Sequence, residues 1–353
     1  MIKNYFPVLL PFLLIIVSCV SSNGAVVRTG SMPSWVNDVY SAFNKDIFVA
    51  ATGFGKDRAQ AEANAFASLS SFFGQSVEVE RAAAASYRQA IVDGVMDSWV
   101  DTAEMKTNIK TISSIDNLIG AEIKEVWYNS KDTYYAVAVL EKAEVIRIYS
   151  QLLDVNNNVI EKLVRTVEQD RHSLQSVMCL YFAETLAKVN EMYRQIIWIL
   201  GGETNDVIAG PFYYRIEANR IISQNPVSII VTDDRNGRIS SEFSKAFANL
   251  GFQTVSVRSA SAARTRYILE AGIVLSPVSL PGNPNIFSRI ELIASFKDAN
   301  LNQIIIPYSF ISREGHVTQY EADNRCFTVA ERNISDMFAS LLSDYLRQLR
   351  PKT

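Results

Sequence analysis

Residues 47–73, IFVAATGFGKDRAQAEANAFASLSSFF, decide the fold of the first part of the chain. The apolar run at 47–52 has the composition of a buried strand, and the glycines within 53–55 predict a tight turn after it. Asp57 and Gln60 have the spacing of a capping box, which predicts that a helix begins there. Alanines four residues apart give this helix a face slim enough to lie close to a sheet. The stretch therefore predicts a strand, a glycine turn and a packed helix.

Extended segments after this unit predict the sheet that the helix covers. Strand-like patterns occur at residues 77–80, 105–123, 125–128 and 133–140, and a helical excursion is expected at 82–100. Residues 34–150 are accordingly expected to form an α+β domain in which one central helix packs on a mainly antiparallel sheet.

A long helical region follows the first domain. Residues 155–200 contain no proline or glycine, and apolar residues recur there at nearly heptad spacing. A straight helix of about 45 residues would be about 65–70 Å long, so we expect a break near Arg171 and His172 that produces a hairpin. Residues 151–205 are predicted to be this helical connector, with Gly201-Gly202 marking its end.

The last part of the chain predicts an α/β domain over residues 206–353. A β-α-β unit is expected from the strands at 227–231 and 252–257 and the amphipathic helix at 240–250 between them. Because more strands are expected beyond this unit, we predict a mixed sheet. These further strands are expected at residues 267–275, 290–296 and 303–311.

A closing helix is predicted over residues 334–349. Its apolar residues recur at helical spacing, so that one side can pack on the sheet. The stripe expected to be buried consists of Phe338, Leu341, Leu342, Tyr345 and Leu349.

The amino terminus has the pattern of a lipoprotein signal. A positive charge precedes an apolar run at residues 6–17, which is shorter than the ~20 residues needed to span a bilayer. The run ends in Ile16-Val17-Ser18-Cys19, which resembles the bacterial lipobox. It predicts that residues 1–18 are a signal peptide, that cleavage falls between Ser18 and Cys19, and that Cys19 is acylated. The alternative is an ordinary secretory signal in which Cys19 falls near the cut by accident.

A lipid on Cys19 would hold the protein on a membrane without a spanning helix. Each buried CH₂ contributes about 0.8 kcal/mol, and two or more acyl chains, such as palmitate, give stable anchoring. Residues 19–33 are rich in serine, glycine and other small residues, the composition of a flexible tether. We expect a protein that is lipid-anchored to the bacterial outer membrane and faces the periplasm.

Composition argues against several classes of function. The chain has 353 residues, of which 34 are Lys or Arg and 37 are Asp or Glu, so its net charge of −3 gives no broad positive field for nucleic acid. Two histidines and three cysteines leave few metal ligands or acid–base groups. We expect no nucleic acid, metal, cofactor or small-molecule substrate. Cys179 lies in an apolar helical stretch and is expected to be a buried free thiol, the alternative being a disulfide with Cys326.

Two segments nearly match ligand-binding motifs and fail at a decisive position. Residues 50–56 match A-x-x-x-x-G-K, but Asp57 stands where a phosphate-binding loop needs Ser or Thr. Residues 233–237 resemble a calcium loop, but its first and twelfth positions would be Thr232 and Phe243. Both segments are therefore interpreted as turns, the first of them also as a helix cap.

Catalytic groups are similarly scarce. His172, on a predicted helix, and His316, at a predicted hairpin tip, have no motif partner, and the chain lacks G-x-S-x-G, H-E-x-x-H and C-x-x-C sequences. We therefore expect a non-enzymatic protein. The rival hypothesis is an envelope hydrolase with Asp233 and Asp234 as its acid pair, although adjacent residues on a strand point to opposite faces.

Three tryptophans are candidate anchors for a protein partner. Trp35, Trp99 and Trp127 can simply fill the first core, which is the interpretation that the composition favours. If any of them is left on a sheet edge or in a groove, it is a natural contact for another protein, because large aromatic side chains are enriched at the centres of interfaces.

Several segments together resemble the LPP-type bacterial lipoprotein domain, a fold also found at the start of the flagellar T-ring protein. They are Pro33-Ser34-Trp35-Val36, the strand ending in Thr52-Gly53-Phe54-Gly55, the helix with Ala59, Ala63 and Ala67, and the strand at 134–140. The resemblance covers roughly residues 33–150, directly behind the lipobox. From residue 206 the order of elements resembles the α/β domains of the curli-secretion lipoprotein, of penicillin-binding-protein activator lipoproteins and of the middle part of the T-ring protein. Neither resemblance implies catalytic residues.

These observations together predict a lipid-anchored envelope protein that binds other envelope proteins. The resemblance implies a role in the assembly or support of a flagellar or other outer-membrane or periplasmic apparatus. The alternatives are a regulator of peptidoglycan synthesis and a component of an export channel.

Overall fold

A computed structural model describes residues 26–74, 118–129, 131–204 and 209–349. The fold is α+β, as predicted, with two mixed sheets. The chain divides into two compact units, one from residues up to 72 together with 121–141, and one from residues 73–120 together with 142 onward.

Some predictions fall outside the described residues. They are the signal peptide at 1–18 with Ser18 and Cys19, Trp99, the strand at 77–80, the helical excursion at 82–100 and the extended segment up to residue 117.

The described residues of the first unit form a four-stranded sheet and one long helix. Its elements are β1 (Val27–Arg28), β2 (Phe48–Gly55), α1 (Arg58–Ser71), β3 (Ala121–Tyr128) and β4 (Tyr134–Glu141), with short 3₁₀ turns at Ser34–Val36 and Val39–Ser41. The strand order is β1-β3-β4-β2; β1 is parallel to β3, and the other neighbours are antiparallel. This confirms the prediction of a helix on a mainly antiparallel sheet.

Gly53 and Gly55 lie inside β2, so the predicted glycine turn is wrong. A Cβ on Gly53 would lie 2.1 Å from the backbone nitrogen of Ala65, and one on Gly55 would lie 2.7 Å from that of Ala61. Glycine is needed here because the helix backbone rests directly on the strand. Ala61 and Ala65 are fully buried, which confirms the predicted close packing of a slim helix face.

The start of α1 is capped by the two predicted residues, although the Gln60 side chain bonds the N–H of Lys56 and not that of the cap residue Asp57. The Asp57 carboxylate accepts a hydrogen bond from the Gln60 N–H at 2.8 Å, and the Gln60 side chain accepts one from the Lys56 N–H at 2.9 Å. A carboxylate thus occupies the helix N-terminus, where a bound phosphate would have to lie. The predicted helix cap at Asp57 is confirmed, but residues 50–55 belong to strand β2 and do not form a turn.

From residue 142 onward, the second unit contains a helical hairpin. Its helices are α2 (Lys142–Gln169) and α3 (Leu174–Ile199), followed by α4 (Pro211–Gln224). The Asn156 amide donates to Asn190 Oδ1 at 2.7 Å, and the ring centres of Tyr149 and Tyr193 are 5.2 Å apart, so α2 and α3 pack side by side. The predicted break is confirmed, and His172 lies in the turn between the helices. Helix α2 starts before residue 150, where the first domain was expected to end, and belongs to the second unit.

A five-stranded mixed sheet forms the centre of the second unit. Its elements are β5 (Val227–Thr232), α5 (Arg238–Ala248), β6 (Thr254–Ser256), β7 (Tyr267–Val278), β8 (Ile286–Asp298) and β9 (Gln303–His316). The order is β6-β5-β7-β8-β9; β5 is parallel to β6 and β7, and the remaining neighbours are antiparallel. This confirms the β-α-β unit. His316 ends β9 opposite Ile286, so the hairpin tip predicted there is wrong.

A helix that the sequence analysis did not predict packs on β8 and β9. It is α6 (Gln319–Asn333), and it continues through a π-helical turn at Ile334–Phe338 into α7 (Ala339–Gln348). Phe338 and Leu342 are buried as predicted, but Leu341 is 41% exposed and Leu346 is buried instead. A π-helical turn contains an extra residue, which rotates the buried stripe that follows it.

Aromatic rings fill the core between this sheet and its helices. Phe243 packs edge-to-face on Phe338 with ring centres 4.8 Å apart, and the ring centres of Phe247 and Phe296 are 5.0 Å apart. Both remaining cysteines, Cys179 and Cys326, are buried free thiols, as was expected of Cys179.

Candidate interaction surface and cleft

Two of the candidate tryptophans lie in the core of the first unit. Trp35 is 2% exposed and Trp127 is 8% exposed, and they pack in one cluster with Phe43. The Trp35 indole N–H donates to Glu125 at 3.1 Å. This is the core position that the sequence analysis favoured. A partner contact by these side chains stays a prediction, and it would require the cluster to be uncovered.

The site predicted for lipidation lies outside the described residues. Within the parts of the chain that the structure covers, no helix is long and apolar enough to cross a bilayer.

One face of the C-terminal sheet exposes aliphatic side chains. Helices cover the other face, where Ser288 contacts α6 and Tyr308 contacts Phe243. Val274, Ile293 and Ile311 are 61%, 67% and 60% exposed, and they come from three neighbouring strands. We call these three residues the open sheet face.

The register of the strands places these three side chains together. Val274 and Ile311 both lie opposite Glu291 of β8, and Ile293 follows Glu291 by two residues on the same face. Charged residues share this face: Glu291, which Arg289 binds at 2.7 Å, lies between Val274 and Ile311. Lys297 and Glu270 form a second ion pair. The arrangement is a mixed surface, in which aliphatic side chains surround a carboxylate that is already paired.

The sequence carried a signal for this surface. In β8 the buried residues alternate with polar ones, and Ile293 is the large aliphatic residue that breaks this alternation on the exposed side. An isoleucine at such a position indicates a second contact surface, but only once the register of the strand is known.

A cleft of about 750 Å³ opens at the carboxyl end of β5. Its lining comes from the end of β5, the loop that follows, the middle of β7 and α6. The lining residues are Val231, Asp233, Asp234, Arg235, Ile273, Val274, Leu275 and Phe327. We call it the β5–β7 cleft.

The two aspartates at the cleft have different roles. Both carboxylate oxygens of Asp234 accept backbone hydrogen bonds, from Ile239 at 3.0 Å and from Ser240 at 2.9 Å, and so cap α5. Asp233 has a positive φ of 60° and an exposed side chain. An acid pair built from both residues would have to release the cap of α5.

A buried polar network lies behind the cleft. Asp323 on α6 accepts hydrogen bonds from Ser288 at 2.5 Å, from Gln319 at 2.8 Å and from Arg235 at 2.7 Å. Burial raises the pKa of Asp323, but these three hydrogen bonds outweigh burial, and the pKa lies below its ordinary value. The carboxylate thus stays charged and joins α6, β8 and the loop after β5.

Comparisons with known proteins give distant matches. No protein-family model matches the chain, and the search of curated proteins found no significant match. Among solved structures, a secreted protein of Helicobacter pylori is similar over 82% of this chain and 98% of its own, with 12% identity and a TM-score of 0.36. A minor lipoprotein of Acinetobacter baumannii is similar over 35% of this chain and 92% of its own, with 14% identity and a TM-score of 0.24.

A lipoprotein of Neisseria meningitidis is similar over 30% of this chain and 97% of its own, with 15% identity and a TM-score of 0.21. Bacterial secreted proteins and lipoproteins therefore recur among the matches. At these TM-scores the likeness does not establish a common fold.

Proposed function

We propose that this chain is a non-enzymatic envelope lipoprotein, acylated at Cys19 and held on the periplasmic side of the bacterial outer membrane, which binds other envelope proteins. The observation that carries the proposal is Ile16-Val17-Ser18-Cys19 at the end of a short apolar run. That run is too short to remain as a membrane span.

The open sheet face supports the binding half of the proposal. Full burial of a valine or isoleucine side chain contributes about 1.5–3 kcal/mol, so covering Val274, Ile293 and Ile311 would favour association. The Glu291 carboxylate between these residues is already paired with Arg289, so a partner that covers the face would not bury an unpaired charge there.

The identity of the partner is the finer part of the proposal. We propose that the first unit is an LPP-type domain and that the protein assists the assembly of a flagellar or similar envelope apparatus. The motive is the resemblance of residues 33–150 behind the lipobox. Regulation of peptidoglycan synthesis and participation in an export channel are the alternatives.

Membrane fractionation tests the anchor. The Cys19→Ala variant should leave the membrane fraction, because its lipid attachment point is gone. A Cys179→Ala variant is the matched control, since it removes a buried thiol far from the signal, and it should remain with the membrane. A Cys19→Ala protein that stays in the membrane fraction contradicts the proposal.

Site-specific photocrosslinking tests the binding surface. A photoreactive residue at Ile293 should give a discrete adduct in intact cells, and one at the exposed Ser335 is the control. Adducts with basal-body proteins support the flagellar role, and adducts with a penicillin-binding protein or an outer-membrane channel support the alternatives. Equal labelling from Ile293 and Ser335 would show that the open sheet face is not a specific binding surface.

A further inference from the structure

The β5–β7 cleft lies where the path of the chain reverses across its sheet. From β5 the chain passes through α5 to β6 on one side, and then returns to β7 on the other side of β5. In open α/β sheets, ligands bind outside the carboxyl ends of the strands at such a reversal. Thr232, the last residue of β5, pairs with Gly272, and β7 continues beyond it to form one wall.

The floor of the cleft is apolar. Ile273 is 3% exposed and Phe327 is 2% exposed, and Val231 and Leu275 are half-buried beside them. Ile273 and Phe327 close the bottom of the cleft and expose little surface themselves, so an aliphatic chain would contact the half-buried Val231 or Leu275. The volume suits a small organic group.

The rim of the cleft is acidic. Asp233 is exposed, and no hydrogen bond or ion pair engages its carboxylate among the residues that the structure describes. Arg235 is the cation on the rim, and it is paired with Asp323 at 2.7 Å. Among the residues that line the cleft, two carboxylates, Asp233 and Asp234, therefore lie beside one guanidinium that Asp323 already neutralises. Arg238, at the start of α5, is neutralised by Glu331 at 2.6 Å.

An anionic ligand is disfavoured at the same place. The N-terminus of α5 would be the natural anion site. However, the backbone N–H groups of Ile239 and Ser240 there already donate hydrogen bonds to the Asp234 carboxylate. The group that remains free to bind a ligand is thus the Asp233 carboxylate, at the rim of a cleft whose bottom is apolar.

We propose that the β5–β7 cleft binds an alkylammonium group, with its aliphatic chain against Leu275 and its ammonium at Asp233. This chemistry is that of a lysine side chain, which buries its stem and keeps its charged end at a polar rim. Two kinds of ligand have this chemistry, a lysine side chain of a partner protein and a free diamine. The proposal goes beyond the lipid anchor and does not depend on it.

Methyl NMR titration of the full chain in detergent tests the proposal. The probe is Nα-acetyl-lysine N-methylamide, and its uncharged counterpart is the norleucine compound. The lysine probe should shift the methyl signals of Val231, Ile273 and Leu275 in a saturable way, and added salt should weaken it. Equal binding of the norleucine probe, or shifts confined to methyl groups elsewhere, would overturn the proposal.

A matched pair of variants locates the charge. Asp233→Asn should weaken binding about three- to fivefold, as expected for loss of a solvent-exposed ion pair, and asparagine tolerates the positive φ at this position. Asp336→Asn, which removes an exposed carboxylate from the turn before α7, should leave binding unchanged. Identical affinities for the wild type and Asp233→Asn would overturn the assignment.

Titration with 1,5-diaminopentane separates the sources of the ligand. Tighter binding of the acetylated lysine probe indicates a lysine within a protein chain, and tighter binding of the diamine indicates a free small molecule. These results are independent of membrane attachment, so they and the fractionation of Cys19→Ala can fail separately.

Discussion

Arg266 and Asp170 form a bidentate ion pair, with N–O distances of 2.7 and 2.9 Å. Asp170 lies in the turn between α2 and α3, and Arg266 directly precedes β7, so the pair fastens the helical hairpin to the sheet. The same guanidinium binds Asp298, at the end of β8, at 2.8 Å. Burial lowers the pKa of Arg266, but the hydrogen bonds to both carboxylates outweigh burial and hold the pKa above its usual value.

Replacing Arg266 should strongly destabilise the second unit. In Arg266→Met the carboxylate of Asp298, which is 6% exposed, loses its counter-charge, and breaking a buried pair in this way costs about 3–5 kcal/mol. Urea denaturation measures the change. Arg347→Met, which breaks an exposed pair with Asp344, should cost less than about 1 kcal/mol. Similar losses for the two variants would show that the Arg266 bridge has no special role.

Asp323 should contribute to the sensitivity of the protein to acid. Its pKa is lower in the folded state than the ordinary value of 3.8, so the folded state binds fewer protons than the unfolded state, and stability falls as the pH drops below about 5. Asp323→Asn should therefore flatten the dependence of the unfolding free energy on pH in this acid range.

Urea denaturation at a series of pH values measures that slope for Asp323→Asn. The control is Asp344→Asn, which removes an exposed carboxylate and should keep the slope of the wild type. An unchanged slope in Asp323→Asn would mean that the buried hydrogen bonds do not favour the charged carboxylate.

Gly53→Ala should disrupt the first unit. The added Cβ would meet the backbone of α1 at 2.1 Å, and because backbone cannot rotate away, we expect a loss of about 3 kcal/mol or more. Gly272→Ala, inside β7, is the matched control, because its nearest neighbour is a side-chain oxygen at 3.4 Å. Thermal unfolding followed by tryptophan fluorescence compares the two. A mild effect at Gly53 would contradict the close contact of α1 with β2.

Leu292 and Ile293 are neighbours on opposite faces of β8 and should respond differently to truncation. Leu292 is fully buried, so Leu292→Ala should cost about 2–5 kcal/mol. Ile293→Ala should change stability by less than about 0.5 kcal/mol, because the side chain is 67% exposed. A large loss at Ile293 in the isolated protein would mean that this chain itself covers the open sheet face.

Features set by nearby residues were predictable from the sequence. The start of α1 follows from Asp57 and Gln60, which bond to backbone groups within four residues. The hairpin break follows from the length of the apolar repeat. Gly53 was misinterpreted as a turn residue, because its role depends on the backbone of Ala65, a contact that local patterns do not show.

Helix α6 was missed because its buried face is small and partly polar. The face consists of Ala322, Asp323, Cys326, Phe327 and Ala330, which gives little apolar periodicity. A local signal was present, since the Thr318 side chain accepts a hydrogen bond from the Glu321 N–H at 3.3 Å, as in a capping box. The π-helical turn after α6 had no such signal, and it displaced the predicted stripe at Leu341. The open sheet face and the β5–β7 cleft require a strand register that only the fold supplies.

Mass spectrometry of the amino-terminal peptide from membrane-purified protein tests the central claim most directly. We predict a first residue of Cys19 whose mass is raised by covalently attached acyl chains. An unmodified amino terminus, or a chain that still carries residues 1–18, would contradict the lipid anchor.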